Sequence, residues 1–297
     1  MTYEELLKHL IDTDERFMIL TAENRAAIRN LPDKIGDRFI DTGITEQTLV
    51  GVSAGLALRG RIPVAHALAS FLTMRAFEFI RTDVGIADLP VKLIGGFAGF
   101  LSEANGPTHQ AIEDVSIMRG IPNVNVFCPA DEQDMLIGLK TVLESPKPFY
   151  IRYNNHPSVY EHSENFEIGK AEVVSEGNDV TILVYGVLFK QAMEAKAILE
   201  AKGKSVGVIN LRTLKPIDED VILKAAANSK LLVTLEDHFI TGGLFTIIAE
   251  IFLKNRFMCE VLPVALNDKW FKPALINDVL DYEGFTSDKI ARRILNH

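Results

Sequence analysis

The 297-residue sequence has only two cysteines, Cys128 and Cys259, with no CxxC pair and no metal-ligating spacing. A disulfide framework is therefore excluded, and a reduced, cytoplasmic compartment is expected. No apolar run reaches the length needed to cross a bilayer. The first residues, MTYEELLKHL, carry acids and no apolar h-region, so no signal peptide is expected. Blocks of like charge are also missing: 31 basic and 40 acidic residues, spread along the chain, leave a net charge of −9. That balance argues against a nucleic-acid backbone or an anionic membrane as partner. A phosphorylated small substrate stays open, because a few local arginines suffice for it. The glycine-rich turns at Gly186 and Gly242-Gly243 do not match a dinucleotide fingerprint.

The 47% hydrophobic and 24% charged composition is that of a soluble globular protein, long enough for two domains. Its organising stretch runs from Val91 to Pro129. An apolar run ending in Gly95-Gly96 reads as a buried strand, followed by the polar loop Asn105-Gly106-Pro107-Thr108-His109-Gln110. A short helix, 111–119, then leads into a second apolar run, Val124–Cys128. In such a βαβ unit the loop lies at the carboxyl end of the first strand, where ligands bind in open α/β sheets. Gly106-Pro107 sets a turn that presents Thr108 and His109 to a cleft. On spacing alone, His109 reads rather as a solvated loop histidine.

Strands are expected at 17–21, 38–41, 62–68 and 148–153, alternating with helices at 2–12, 46–59, 70–86 and 131–144. This pattern predicts a mainly parallel sheet covered on both faces. Glu46 stands at a helix start, where an acid is ordinarily a helix-dipole partner. The helix after it is apolar almost all round, with Gly51 and Gly55 one turn apart, which suits a core or a subunit interface. Phe71, Met74, Phe77 and Phe79 read as core. The stretch Asn154–Phe166 breaks the pattern and reads as a linker, with 157–166 between the domains, and its histidines, His156 and His162, read as solvated. A second α/β region follows, with strands at 179–185, 205–210, 230–235 and 259–265.

Several stretches together resemble one family. DTGITEQ (41–47), FLTMRAFEFIRTDV (71–84), GPTHQAIEDVSIMRGIPNVNVFCPAD (106–131), NLRTLKPID (210–218) and EDHFITGGL (236–244) are similar to transketolase and the deoxyxylulose-phosphate synthases. The resemblance covers essentially the whole chain but only the C-terminal part of a full-length member. It implies two consecutive α/β domains: a pyrimidine-binding domain (1–156), the linker (157–166) and a transketolase C-terminal-like domain (167–297). The family's GDG motif, which holds the diphosphate and a divalent metal, does not occur in this sequence. The resemblance thus implies the second subunit of a split transketolase. Mg2+ or another divalent ion would sit on an N-terminal partner subunit, and two such chains would pair within a 2+2 complex.

The resemblance also implies roles. Thiamine diphosphate works as a carbanion once its thiazolium loses a proton, and a carboxylate must tautomerise the aminopyrimidine to remove it. Such a carboxylate favours a partly desolvated position. Glu46 matches it, with Gly43 and Ile44 beside the cofactor. Phe71 is the choice for stacking on the pyrimidine. Its spacing to Arg75 is one residue off that of some members, which leaves Leu68 or Phe77 as alternatives. His109 matches the histidine that contacts the donor sugar, and Asn105 stands where most members carry an aspartate that binds a substrate hydroxyl. Arg152 matches a phosphate-binding arginine, against the alternative of a solvated strand-end residue. His66 is either a substrate contact or a satisfied core histidine. The expected activity is transfer of a two-carbon ketol unit between sugars or sugar phosphates. The alternatives are the beta subunit of a 2-oxo acid dehydrogenase and a silent scaffolding or regulatory subunit.

Overall fold

A computed structural model describes residues 1–297. The chain opens with the helix Tyr3–Thr13, started by a capping box in which the Glu5 amide donates to the Thr2 hydroxyl and the Thr2 amide to the Glu5 carboxylate. Leu6, Leu7, Leu10 and Ile11 recur at helical spacing and form its buried stripe. The strands β1 (Phe17–Thr21), β2 (Phe39–Asp41), β3 (Ile62–Leu68), β4 (Lys92–Gly96), β5 (Asn125–Phe127) and β6 (Phe149–Arg152) follow, separated by helical segments. In order β5-β6-β4-β3-β1-β2 they form a parallel sheet. Strands β1, β4 and β6 are buried at every position, as expected for a sheet with helices on both faces.

The second half carries β7 (Glu172–Ser175), β8 (Val180–Val184), β9 (Val206–Asn210), β10 (Thr213–Lys215), β11 (Leu231–Phe239) and β12 (Val261–Leu266). Its sheet runs β12-β11-β8-β9-β7, parallel except for the antiparallel edge strand β7. No helix is long and apolar enough to cross a membrane.

Four features differ from the sequence reading. β7 and β10 carry no apolar run of their own. β10 leaves the second half to pair antiparallel with β5, so it extends the first sheet to seven strands. One hydrophobic cluster therefore runs through both halves, with Val126, Cys128 and Tyr150 packed alongside Leu183, Tyr185 and Leu214. The expected helix over 70–86 is instead a short α-helical stretch, Phe77–Phe79, between two widened turns, Phe71–Arg75 and Ile80–Gly85. Met74 and Phe79 on it are over a third exposed rather than core.

The fourth difference lies at His162. It is buried, not solvated, and bonds through Nε2 to Asp131 (2.9 Å) and through Nδ1 to Glu172 (2.7 Å). His156 is half-buried, and burial lowers its pKa. Arg212 adds Nε to Asp134 at 2.6 Å and NH2 to Glu172 at 3.1 Å. Asp134, His162 and Glu172 lie close enough to share a metal ion, but the Arg212 guanidinium already supplies the cation there. The network ties the helix Glu132–Glu144 of the first half to β7 and to the segment joining the halves.

Burial opposes a charge on His162, but its bonds to Asp131 and Glu172 outweigh this and raise its pKa from 6.5 to about 9. A group whose pKa rises on folding stabilises fully below its unfolded pKa, and that contribution is lost as pH climbs through the folded one. The contribution of His162 to the thermal midpoint should therefore be lost between about pH 7 and about pH 10, at roughly 2–4 °C per kcal/mol. In His162→Gln that pH-dependent component should flatten. An unchanged slope in the variant, measured by calorimetry, would assign the loss to another group.

Candidate functional site

The carboxyl ends of β2, β3 and β4 deliver three segments to one place. After β2, the turn Asp41–Thr45 is drawn tight because the Gly43 amide donates to Asp41 Oδ1 at 2.9 Å. Gly43 adopts φ +68°, which L-residues with side chains rarely take. Gly43 and Ile44 are exposed on this turn. Glu46 follows as the first residue of the helix Glu46–Leu58, and its carboxylate is 2% exposed. Burying a carboxylate is costly unless it is paired. Its partner is Arg75, whose NH1 donates to Glu46 Oε2 at 2.7 Å while the arginine side chain stays 40% exposed.

Arg75 comes from the segment after β3. There the Ala76 amide bonds to the Phe71 carbonyl at 3.2 Å, an i→i+5 bond that absorbs one extra residue in the turn. This turn spans the Phe71-to-Arg75 spacing. It brings the Arg75 guanidinium to 4.0 Å from the Phe71 ring centroid, within cation–π range. The other member of the group, His109, comes from the loop after β4, and its ring centroid lies 5.0 Å from that of Phe71. Thr108 Oγ1 and His109 Nδ1 share a 2.9 Å hydrogen bond, which orients the imidazole. Glu46, Arg75, Phe71 and His109 thus form one contiguous chain of contacts. Asn105 is exposed on the same loop; Leu68, at the end of β3, and Phe77, in the segment after it, are half-buried.

Two expected site residues lie elsewhere. His66 is a core histidine: it bonds to the Tyr3 hydroxyl (2.7 Å) and the Leu20 carbonyl (3.1 Å), and burial lowers its pKa to about 4. Arg152 is neither solvated nor open to a phosphate, being 4% exposed. Nε and NH2 donate to Asp114 at 2.8 and 2.6 Å, and NH1 donates to Asp237 at 2.5 Å. Asp114 also accepts from the Tyr150 hydroxyl at 2.6 Å. Burial alone would raise the Asp114 pKa, yet Arg152 holds it below the usual carboxylate value. Asp237 lies on β11, so this arginine joins the two halves instead of facing a cleft.

Arg75 is the site residue that the sequence reading passed over. Its only signal there was the altered spacing, because nothing in a sequence shows a long-range pairing with Glu46.

Family models describe the chain in two parts. Residues 1–156 match the transketolase pyrimidine binding domain, and residues 169–290 match the transketolase C-terminal domain. The 6-deoxy-6-sulfo-D-fructose transketolase subunit SqwH of a Clostridium species is 35% identical over 98% of this chain and 91% of that protein. A putative transketolase C-terminal section of Methanocaldococcus jannaschii is 33% identical, covering 99% and 94%. A 1-deoxy-D-xylulose-5-phosphate synthase of Dictyoglomus thermophilum is 35% identical, and there the chain spans 49% of the longer protein. Among solved structures, a split gene transketolase described as an inactive beta4 tetramer superposes with a TM-score of 0.88 at 33% identity, covering 99% and 95%.

Removing one partner of a buried ion pair leaves a charge without compensation and costs about 3–5 kcal/mol. Arg152→Met should accordingly lower the thermal midpoint by several degrees, and Arg152→Lys by less, since it keeps the charge but loses the bidentate grip on Asp114. A wild-type midpoint in Arg152→Met would contradict this assignment.

Proposed function

The chain belongs to the transketolase family as a split, C-terminal-type subunit, and on that premise we propose that it forms the pyrimidine half of a thiamine diphosphate site. The supporting observation is the Glu46–Arg75–Phe71–His109 chain. A buried carboxylate joined through Arg75 to a half-buried aromatic ring fits an aminopyrimidine, which needs a proton partner at a ring nitrogen and a flat surface to stack on. When bound, the cofactor would supply a carbanion equivalent able to add to a ketose carbonyl. Glu46 would exchange a proton with the pyrimidine, Phe71 would stack on it, and Gly43 and Ile44 would line its edge. His109, held by Thr108, would hydrogen-bond a hydroxyl or carbonyl oxygen of the donor and help move its proton.

The diphosphate and its divalent ion fall to an N-terminal partner subunit, so the site is complete only between chains. Ile44 (66% exposed) and Leu58 (72%) stand at either end of the helix Glu46–Leu58 and suit a contact between two copies of this chain within a 2+2 complex. The unpaired cysteines suit a cytoplasmic setting. The reaction read from this site is transfer of a two-carbon ketol unit between sugar substrates.

Glu46→Gln keeps the shape of the side chain and removes the titrating proton. Assayed with the partner, its turnover should fall by about 10²–10⁴-fold while cofactor binding largely survives. The chain alone should turn nothing over. Near-normal turnover in the variant would take Glu46 out of the mechanism.

Asn105 offers one acceptor and one donor where aspartate offers only acceptors and a charge. A charge-assisted bond is roughly twice as strong as a neutral one, so Asn105 should relax the preference for one hydroxyl configuration. Ketose donors differing only at the hydroxyl next to the cleaved bond should rank differently for wild type and Asn105→Asp. Identical kcat/KM rankings would remove Asn105 as a specificity determinant.

A further inference from the structure

The loop that presents Asn105 and His109 leaves β4 and returns to the first domain, and its base is closed by the Gly99 amide donating to the Ala111 carbonyl at 2.9 Å. Its tip is held from outside. The Ile276 amide, at the start of the helix Ile276–Glu283, donates to Glu103 Oε1 at 3.1 Å. That helix has no side-chain cap of its own at Leu275, so a carboxylate from the other domain meets one of its free N–H groups. Gln110, 1% exposed, donates Nε2 to the Phe271 carbonyl at 2.9 Å. Between these contacts, the Phe100 ring packs edge-on against Phe271 and Phe285 at 5.4 and 4.8 Å. The backbone of Glu103 itself sits at φ +46°, ψ −123°, a conformation that residues with a Cβ rarely adopt. Glu103 is thus held in a strained conformation with its carboxylate on the neighbouring domain.

We propose that Glu103 and Gln110 are positioning residues through which the C-terminal domain aims the His109 loop at the Phe71 platform. They bracket the loop tip on both sides of Asn105 and His109, and every partner they use belongs to the segment Phe271–Ile276. Phe71 stands on a different segment, after β3, so the 5.0 Å separation of its ring from His109 depends on where the loop tip is fastened as well as on the local turn at Gly106–His109. Loop closure does not depend on the anchors, because the Gly99–Ala111 bond and the bond from the Ser102 hydroxyl to the Phe97 carbonyl (2.7 Å) lie within the first domain. This inference rests on the reading of His109 as a donor-facing group. That reading is tested separately, by whether His109→Ala, assayed with the partner subunit, loses turnover.

The anchors can be tested in the isolated chain, which carries seven histidines. With histidine-selective 13C labelling, the His109 ring proton should be displaced by the Phe71 ring current, away from the lines of the exposed His9 and His297. In Glu103→Ala and in the near-isosteric Gln110→Met, the His109 line should move toward those exposed lines. It should return most of the way in Glu103→Gln, which keeps an acceptor oxygen. The buried His66 and His238 should not move in any of these variants. A His109 line that stays in place in both Glu103→Ala and Gln110→Met would overturn the proposal. So would concerted movement of His66 and His238 with it, which would make the anchors general folding contacts.

Discussion

A guanidinium buried between carboxylates of two domains is tolerated only when its donors are matched and the carboxylates are matched in turn. Arg152 meets that condition, with Nε and NH2 on Asp114, NH1 on Asp237, and the Tyr150 hydroxyl on the remaining demand of Asp114. The rest of the architecture is arranged around this join. Asp114 opens the helix Asp114–Arg119, Arg152 ends β6, and Asp237 lies on β11, so one ion group fixes three elements from both halves. Asp237 also accepts from the Phe100 amide at 3.2 Å. Gly99 passes so close to it that any Cβ there would clash with the carboxylate. The loop after β4 is therefore seated directly on the interdomain ion group.

The consequence for the site is geometric. A parallel sheet brings the carboxyl ends of its strands to one edge, but it does not set the distances between the side chains that follow them. Here those distances come from three separate devices: the positive-φ turn at Gly43 before Glu46, the widened turn between Phe71 and Arg75, and the seating of the His109 loop on the second domain. Arg75 links the first two by pairing with Glu46 while lying over Phe71. A functional group assembled from loops is held by contacts that are not local to any one loop.

Much of the fold was legible because buried parallel strands must be continuous apolar runs, and β1, β3, β4, β8 and β9 are such runs. β7 and β10 were not, since each is stabilised by the ladder it joins and carries little hydrophobic pattern of its own. The histidines divide the same way. The place of His109 on the loop after β4 was recognisable from its motif, whereas His66 and His162 took their bonds from partners 63 and 31 residues away, Tyr3 and Asp131. A solvated reading of His162 was reasonable for a polar linker, and it failed because that linker is pressed between two domains.

Local sequence by itself determined the alternation of strands and helices, the carboxyl-edge position of the His109 loop, and the place of Glu46 at a helix start. Each follows from short-range periodicity or from a turn motif, and these act over a few residues. Tertiary structure alone decided that Arg152 is a buried join and not a phosphate ligand, that Arg75 pairs with Glu46, and that Glu103 and Gln110 reach the second domain. The physical reason is the same for all four. An ionic or hydrogen-bonding side chain has no preferred partner in the sequence. Burial selects one, because a buried polar group without a partner is more costly than the strain or the long-range contact needed to reach it.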